Sequence, residues 1–188
     1  MFGWLKIDYP LRKLFAESWP EAAKLPTRPE EFTLATEMLQ HCSHILDAGT
    51  GYIPEYHILP YMLAKRGHVL VSKRRVVAMD HNKDHLKMPE HKLVKRMMGD
   101  ILDLPFEDRE FDGVACISVL EHLPNKDVEA AIKELARVCD GVIVLTMDNR
   151  EPRVFADILS RCGIDPGQPT YLPGHNMTPI VSFVVGHR

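Results

Sequence analysis

The sequence predicts an α/β domain built on a doubly wound, mostly parallel sheet with helices on both faces. Three observations carry this. Short apolar runs of strand length alternate with segments whose apolar residues recur at helical spacing. Several of the strand-like runs end in an acid or a glycine, which punctuates a strand-to-helix turn. The chain has 188 residues, 45% of them hydrophobic, which suits one compact domain with a single core.

The elements follow in order. The first 26 residues mix rings and charges (Trp4, Tyr9, Phe15, Trp19) and read as one or two short helices ended by Pro20 and Pro26, a lid or cap on the core. The stretch TRPEEFTLATEMLQHC then offers Thr27 as an N-cap and Pro29 in the first turn. Its Phe32, Leu34, Ala35, Met38 and Leu39 recur at near-helical spacing. SHILDAG supplies a short buried strand, Ile45 to Asp47. A helix is expected from about Pro54 to Lys65, stopped by Gly67.

HVLVS and RVVAMD both read as strands, separated by KRR. Val76 to Met79 is taken as the second sheet strand because it ends in an acid. If HVLVS is the strand instead, Ser72 stands at its end. VKRMMGDI reads as a third short strand and FDGVACIS (111–118) as a buried fourth. VEAAIKELARV (128–138) puts Val128, Ile132, Leu135 and Val138 on one helical face, with Asn125 or Asp127 available as cap. GVIVLTM (141–147) is a strand, RVFADILSRCG (153–163) a helix closed by Gly163, and IVSFVVG (180–186) a last strand after a Pro- and Gly-rich stretch. Residues 1–188 thus read as one domain: a cap (1–26), a core (27–150) and a C-terminal helix and strand (151–188).

Composition excludes several classes. A net charge of −3 and a pI near 6.4 predict neither nucleic-acid nor membrane-surface binding. The basic stretch from Lys65 to Arg96 and the acidic one from Asp100 to Glu134 read as solvated faces, with a basic rim for an anionic substrate as the minor alternative. Cys42, Cys116, Cys139 and Cys162 lie far apart with no CxxC pair, which points to reduced thiols in the cytosol. No apolar run approaches the roughly 20 residues of a membrane span. MFGWLKIDYP lacks a continuous signal-peptide core, so a cytoplasmic protein is expected.

Chemistry concentrates at the strand ends. Asp47 closes the first strand, and Gly49 and Gly51 occupy the turn after it. Glycine there permits positive φ and lets a ligand approach without meeting a Cβ. The third glycine of a GxGxxG dinucleotide turn is absent, since Tyr52, Ile53 and Pro54 follow. A carboxylate at Asp47 would repel a pyrophosphate and suit an ammonium. Asp80, ending RVVAMD, can accept ribose hydroxyls. Asp100 can accept from an adenine amine, with Ile101 covering the ring.

ILDAGTG, VVAMD, GDILDLPFEDREFDGVACISVLEHL and ELARV together resemble the class I S-adenosylmethionine-dependent methyltransferases, of the small type 11-like group, over residues 27 to 150. The most specific part runs from Asp103 to Leu123. The resemblance implies a Rossmann-like, three-layer αβα domain whose mostly parallel sheet has seven strands, with an antiparallel C-terminal strand. It implies S-adenosyl-L-methionine as cofactor. Asp47, Gly49 and Gly51 would hold the methionine portion, Asp80 the ribose, and Asp100 and Ile101 the adenine. Ile117 and Ser118 would line the floor near the sulfonium. The chain departs from the family at Ile53, in the long span from Asp47 to Asp80, and at VCDG (138–141), where the family has a glycine-rich turn.

Methyl transfer is an in-line displacement that needs alignment above all, worth up to about 7–11 kcal/mol. A general base adds about 10²–10⁴-fold and is optional. His122 is the candidate base, with Glu121 as its orienter; packing over the cofactor is the other reading of that histidine. His81, His85 and His91 carry a weighed zinc reading, but no cysteine or settled third ligand accompanies them, and no metal is expected. The expectation is a methyltransferase with a small or medium-sized acceptor, with no nucleic-acid or membrane partner. The alternative is a non-catalytic scaffold of the same fold. A nicotinamide oxidoreductase is disfavoured by the missing GxGxxG. Trp4, Tyr9, Trp19, Tyr171, His175 and Asn176 are the residues from which substrate contacts could come.

Overall fold

A computed structural model describes residues 28–51, 58–67, 74–87, 92–147, 152–167, 169–172 and 180–186. Along these the chain forms α1 (Arg28–Met38), β1 (His44–Ala48), α2 (Ile58–Gly67), β2 (Arg75–Asp80), β3 (Val94–Met98), β4 (Phe111–Ile117), α3 (Asn125–Val138), β5 (Cys139–Met147), α4 (Pro152–Arg161), β6 (Thr170–Leu172) and β7 (Ile180–Gly186). Two 3-10 turns, Lys83–Leu86 and Leu120–His122, follow β2 and β4.

The strands lie in the order β3-β2-β1-β4-β5-β7-β6. From β3 to β5 every neighbouring pair is parallel. β7 runs antiparallel to β5, and β6 antiparallel to β7. The chain winds outward from β1 through β2 to β3, then returns to the other side of β1 as β4. That reversal is a topological switch point, and it opens a crevice at the carboxyl ends of β1 and β4.

The central strands β1, β2, β4 and β5 are mostly buried on both faces, as their near-continuous apolar runs require, whereas the edge strand β3 is largely exposed. Alternate residues face opposite ways. On one side Phe32, Leu39 and Leu63 of the α1–α2 layer meet Ile45, Val76, Ala115 and Val144. On the other, Ile132, Leu135, Phe155 and Leu159 of α3 and α4 meet Leu46, Val77, Val114 and Ile143. Each such fully buried aliphatic side chain contributes about 1.5–3 kcal/mol.

Several boundaries differ from the sequence reading. β2 is RVVAMD and lies between β1 and β3, so Asp80 and not Ser72 ends the second sheet strand. HVLVS, the start of the helix near Pro54, Thr27 and the aromatic first 26 residues lie outside the described residues. Neither Asn125 nor Asp127 caps α3. Pro124 holds the cap position without a side-chain hydrogen bond, and its carbonyl accepts from the Asp127 N–H at 2.9 Å, so the backbone closes the turn itself. VCDG is not a turn, because β5 already begins at Cys139. Gly141 allows this close run: a Cβ there would lie 2.1 Å from the Asp112 carbonyl oxygen. Within the Pro- and Gly-rich stretch, Thr170–Leu172 forms the short strand β6.

Arg74 corrects the reading of the basic stretch as a solvated face. It is 1% exposed, and its guanidinium donates to the carbonyls of Leu63 (2.7 Å), Leu39 (2.9 Å) and Gln40 (2.6 Å). One buried guanidinium fork thus ties the carbonyls just past α1 to one within α2. Arg137 does similar work for the loop before β4. It donates to the carbonyls of Leu104 and Phe106 and to the carboxylates of Asp108 and Glu134, while Glu134 accepts from the Leu104 N–H. That is why DLPFEDREFD and ELARV, distant in sequence, act as one unit.

Candidate functional site

A crevice of about 610 Å³ opens at the carboxyl edge of the parallel strands. That is within the usual range for a small-molecule site. Every residue expected to hold the cofactor lines it: Asp47, Gly49 and Gly51 after β1, Asp80 at the end of β2, Asp100 and Ile101 after β3, and Ile117 and Ser118 at the end of β4. His122 stands at its edge.

The turn after β1 is built by its glycines. Gly49 and Gly51 have φ of +86° and +90°, the left-handed region that other residues rarely adopt. The N–H groups of Gly49 and Thr50 both donate to the Met79 carbonyl, at 2.9 and 3.0 Å, so the turn is tied to β2. Gly49 is also pressed from above. A Cβ there would lie 2.4 Å from Val119 Cγ2.

Asp47 is 2% exposed, and its Oδ2 accepts from the Thr50 hydroxyl. Burial pushes its pKa up to about 7; the nearby Asp80 adds to this and the Thr50 hydrogen bond opposes it. A buried carboxyl poised near neutrality beside an open crevice suits a cationic ligand group, which would relieve the cost of its ionisation.

Asp80 is also nearly buried, at 4% exposure, and much of its capacity is used internally. Oδ2 accepts from the Gly51 N–H at 3.0 Å. Oδ1 accepts from the Asn82 N–H at 3.0 Å and has the Nδ1 atoms of His85 and His81 at 2.9 and 3.2 Å. Each carboxylate oxygen offers about two acceptor sites. Oδ2 therefore has room for one further donor. The two histidines of the helical zinc reading sit instead around one carboxylate oxygen, His81 directly after β2 and His85 on the 3-10 turn, and His91 lies outside the described residues. Among the described residues no cluster of three or more His, Cys, Asp or Glu side chains is arranged to hold a metal.

Asp100 lies at the rim, its Oδ1 accepting from the Leu102 N–H at 2.9 Å, while Ile101 is buried beside it. Met79 forms the wall between these positions, with its sulfur where a Cβ of Gly99 would otherwise stand (2.7 Å). At the end of β4, Ser118 adopts φ +51° although it is not glycine. Val119 and Leu123 continue the wall. His122 is exposed, and its N–H donates to the Val119 carbonyl. Glu121, expected as its orienter, has a buried Oε2, and its charge helps raise the Cys116 thiol, so its carboxylate is directed inward.

Sequence reading missed part of the lining. Thr50, His85, Met79, Val119 and Leu123 all face the crevice, and so does Phe32, which had been read only as a helix-core residue. Thr50 had a signal, a hydroxyl three residues after the acid. The others depend on which way a wall turns and had none. Tyr171 lies in β6, and His175 and Asn176 lie outside the described residues.

Comparison with known proteins gives the family and the fold. The methyltransferase domain family matches residues 46–144, just over half of the chain. The chain belongs to that family, the class I S-adenosylmethionine-dependent methyltransferases. Over 85 residues it is 32% identical to a demethylmenaquinone methyltransferase of Staphylococcus carnosus (strain TM300), a match covering 42% of this chain and 34% of that protein. The match thus spans about a third of the curated relative's length. Among solved structures, 1,6-didemethyltoxoflavin-N1-methyltransferase of Burkholderia thailandensis, with bound 1,6-didemethyltoxoflavin and S-adenosylhomocysteine, superposes with a TM-score of 0.67 at 15% identity, over 94% of this chain and 86% of that one. A SAM-dependent methyltransferase from Aquifex aeolicus gives 0.67 at 14% identity, over 93% and 97%. At such identities the likeness is one of fold.

Proposed function

We propose that this chain is an S-adenosylmethionine-dependent methyltransferase acting on a small or medium-sized acceptor. The observation that carries the reading is the convergence of Asp47, Asp80 and Asp100 on one open crevice at three successive strand ends. Asp47 takes the ammonium of the methionine portion, and the turn at Gly49 and Gly51 admits its chain. Asp80 takes a ribose hydroxyl through Oδ2, with His85 beside it to meet the second. Asp100 accepts from the adenine amine and Ile101 covers the ring. Ile117 and Ser118 form the floor toward the sulfur.

The bound cofactor supplies an electrophilic methyl on a sulfonium whose leaving group departs neutral. The protein's own task is therefore to hold, align and exclude water. Val119, Leu123 and Phe32 form an apolar wall for this, and His122 at the edge can take a proton from a hydroxyl acceptor. A net charge of −3 favours a small acceptor over nucleic acid. Four free cysteines fit a reducing cytosolic compartment. The whole of 1–188 serves as one domain, with 27–150 carrying the cofactor.

Calorimetric titration with S-adenosylmethionine and S-adenosylhomocysteine tests this. Saturable one-to-one binding is expected. Asp80→Ala and Asp100→Ala should each weaken it by about 1–3 kcal/mol, through lost hydrogen bonds. If both variants are folded and bind like the parent, the roles assigned to the strand ends are wrong.

A further inference from the structure

The helix that opens the described chain carries a buried acid behind the crevice wall. Glu31 lies in the first turn of α1, yet is 0% exposed. Its Oε1 accepts from Ser118 Oγ at 2.7 Å and also from Thr146 Oγ1. Thr146, itself 0% exposed on β5, accepts from the Ser118 N–H twice, through its carbonyl and its hydroxyl, each at 3.1 Å. One carboxylate, two hydroxyls, the Ser118 N–H and the Thr146 carbonyl thus join α1, the end of β4 and the end of β5.

The residue they hold is the strained one. Ser118 has φ +51°, a conformation costly for a side chain with a Cβ. It is held by two bonds on its N–H and one on its hydroxyl. Its conformation decides where the next residues go. Val119 packs onto the Gly49 turn so closely that a Cβ on Gly49 would clash, and His122 and Leu123 follow around the crevice mouth. Glu31 does not line the crevice, but Ser118 does.

We infer that Glu31 is a positioning residue for the methyl-transfer end of the crevice. It fixes Ser118 in its left-handed conformation, and through it the Val119 wall, without touching ligand. The inference rests on the S-adenosylmethionine reading of the crevice. It also separates two ends of one site. The nucleoside end, at Asp80 and Asp100, is independent of Glu31; the sulfur end is not.

Calorimetry well below the melting temperature tests this with two probes, S-adenosylmethionine and adenosine, on the full chain. Glu31→Ala should weaken S-adenosylmethionine about tenfold, the scale set by a left-handed non-glycine residue left without its clamp. Adenosine, which lacks the sulfur end, should bind within twofold of the parent. Glu31→Gln keeps an acceptor oxygen in place and should recover most of the loss. Glycine adopts positive φ unaided, so adding Glu31→Ala to a Ser118→Gly protein should cost less than twofold. A merely structural glutamate would lower the melting temperature and leave the ratio of the two affinities unchanged. That result, or the same tenfold cost on both backgrounds, overturns the inference while the cofactor reading stands. If the parent protein binds neither probe, the cofactor reading falls and the inference falls with it.

Discussion

The proposed pairing of Asp47 with the ammonium of the methionine portion makes cofactor binding depend on pH in a direction that can be worked out in advance. Burial raises its pKa from the ordinary 3.8 to about 7. Ionising it in the ligand-free site therefore costs about 4 kcal/mol relative to water, at 1.36 kcal/mol per decade. For an acid raised on folding, the native state holds the proton longer than the unfolded chain. Its contribution to stability is complete below about 3.8 and is lost as pH rises through about 7. The ammonium of a bound methionine portion reverses this, because it favours the ionised carboxylate. Binding should then release a proton below pH 7, and the dissociation constant should fall about 25-fold between pH 5.5 and 7.5. Above about pH 8 the ligand's own amine loses its charge and affinity should fall again. Calorimetry in two buffers of different ionisation enthalpy reads the released proton directly. Asp47→Asn should bind weakly with no dependence between pH 5.5 and 7.5, and its ligand-free form should melt higher than the parent at pH 8. A parent affinity that is flat across this range, or an Asp47→Asn protein that keeps the slope, refutes the assignment.

Other expectations follow from packing. Gly49→Ala places a Cβ 2.4 Å from Val119 Cγ2 in a left-handed turn, and should abolish measurable S-adenosylmethionine binding while circular dichroism still reports a folded chain. Gly141→Ala meets the Asp112 carbonyl oxygen at 2.1 Å, backbone that cannot swing aside, and should lower denaturant-measured stability by about 3 kcal/mol or more. Arg137→Ala removes donors from Leu104 and Phe106 and should cost about 2–3 kcal/mol, with hydrogen exchange rising first in residues 104–108. Burial pushes the thiols of Cys42 and Cys139 up to about 12 and 11 and raises that of Cys116 well above its ordinary value, so all three should resist a thiol reagent at pH 8 in the native state, with half-buried Cys162 reacting first.

The rim of the crevice was legible because strand ends are legible. An acid or glycine after a short apolar run marks where a strand stops, and parallel strands all stop at one edge. Asp47, Asp80 and Asp100 therefore share a rim by topology alone. Helix and strand limits were less readable where backbone fit decides them. Gly141 looked like turn punctuation, but it serves the approach of β5 to Asp112. Arg74 sat in a run of cations and looked solvated, yet carbonyls from two helical regions required a buried donor. Long-range polar joins left no local trace. Glu31 and Thr146 are 115 positions apart, and nothing in either neighbourhood names the other. The Asp80–histidine arrangement is half visible: the spacing of His81 and His85 pairs the two rings, but it is the chain after β2, with His85 on a 3-10 turn, and not an α-helix that brings them to the carboxylate.

A crystal structure of the protein soaked with S-adenosylhomocysteine tests the central claim most directly. The account predicts the amino group within hydrogen-bonding distance of Asp47, a ribose hydroxyl on Asp80 Oδ2, and the adenine between Asp100 and Ile101. Density for the ligand elsewhere on the molecule, or in the crevice with its ends reversed, would contradict it.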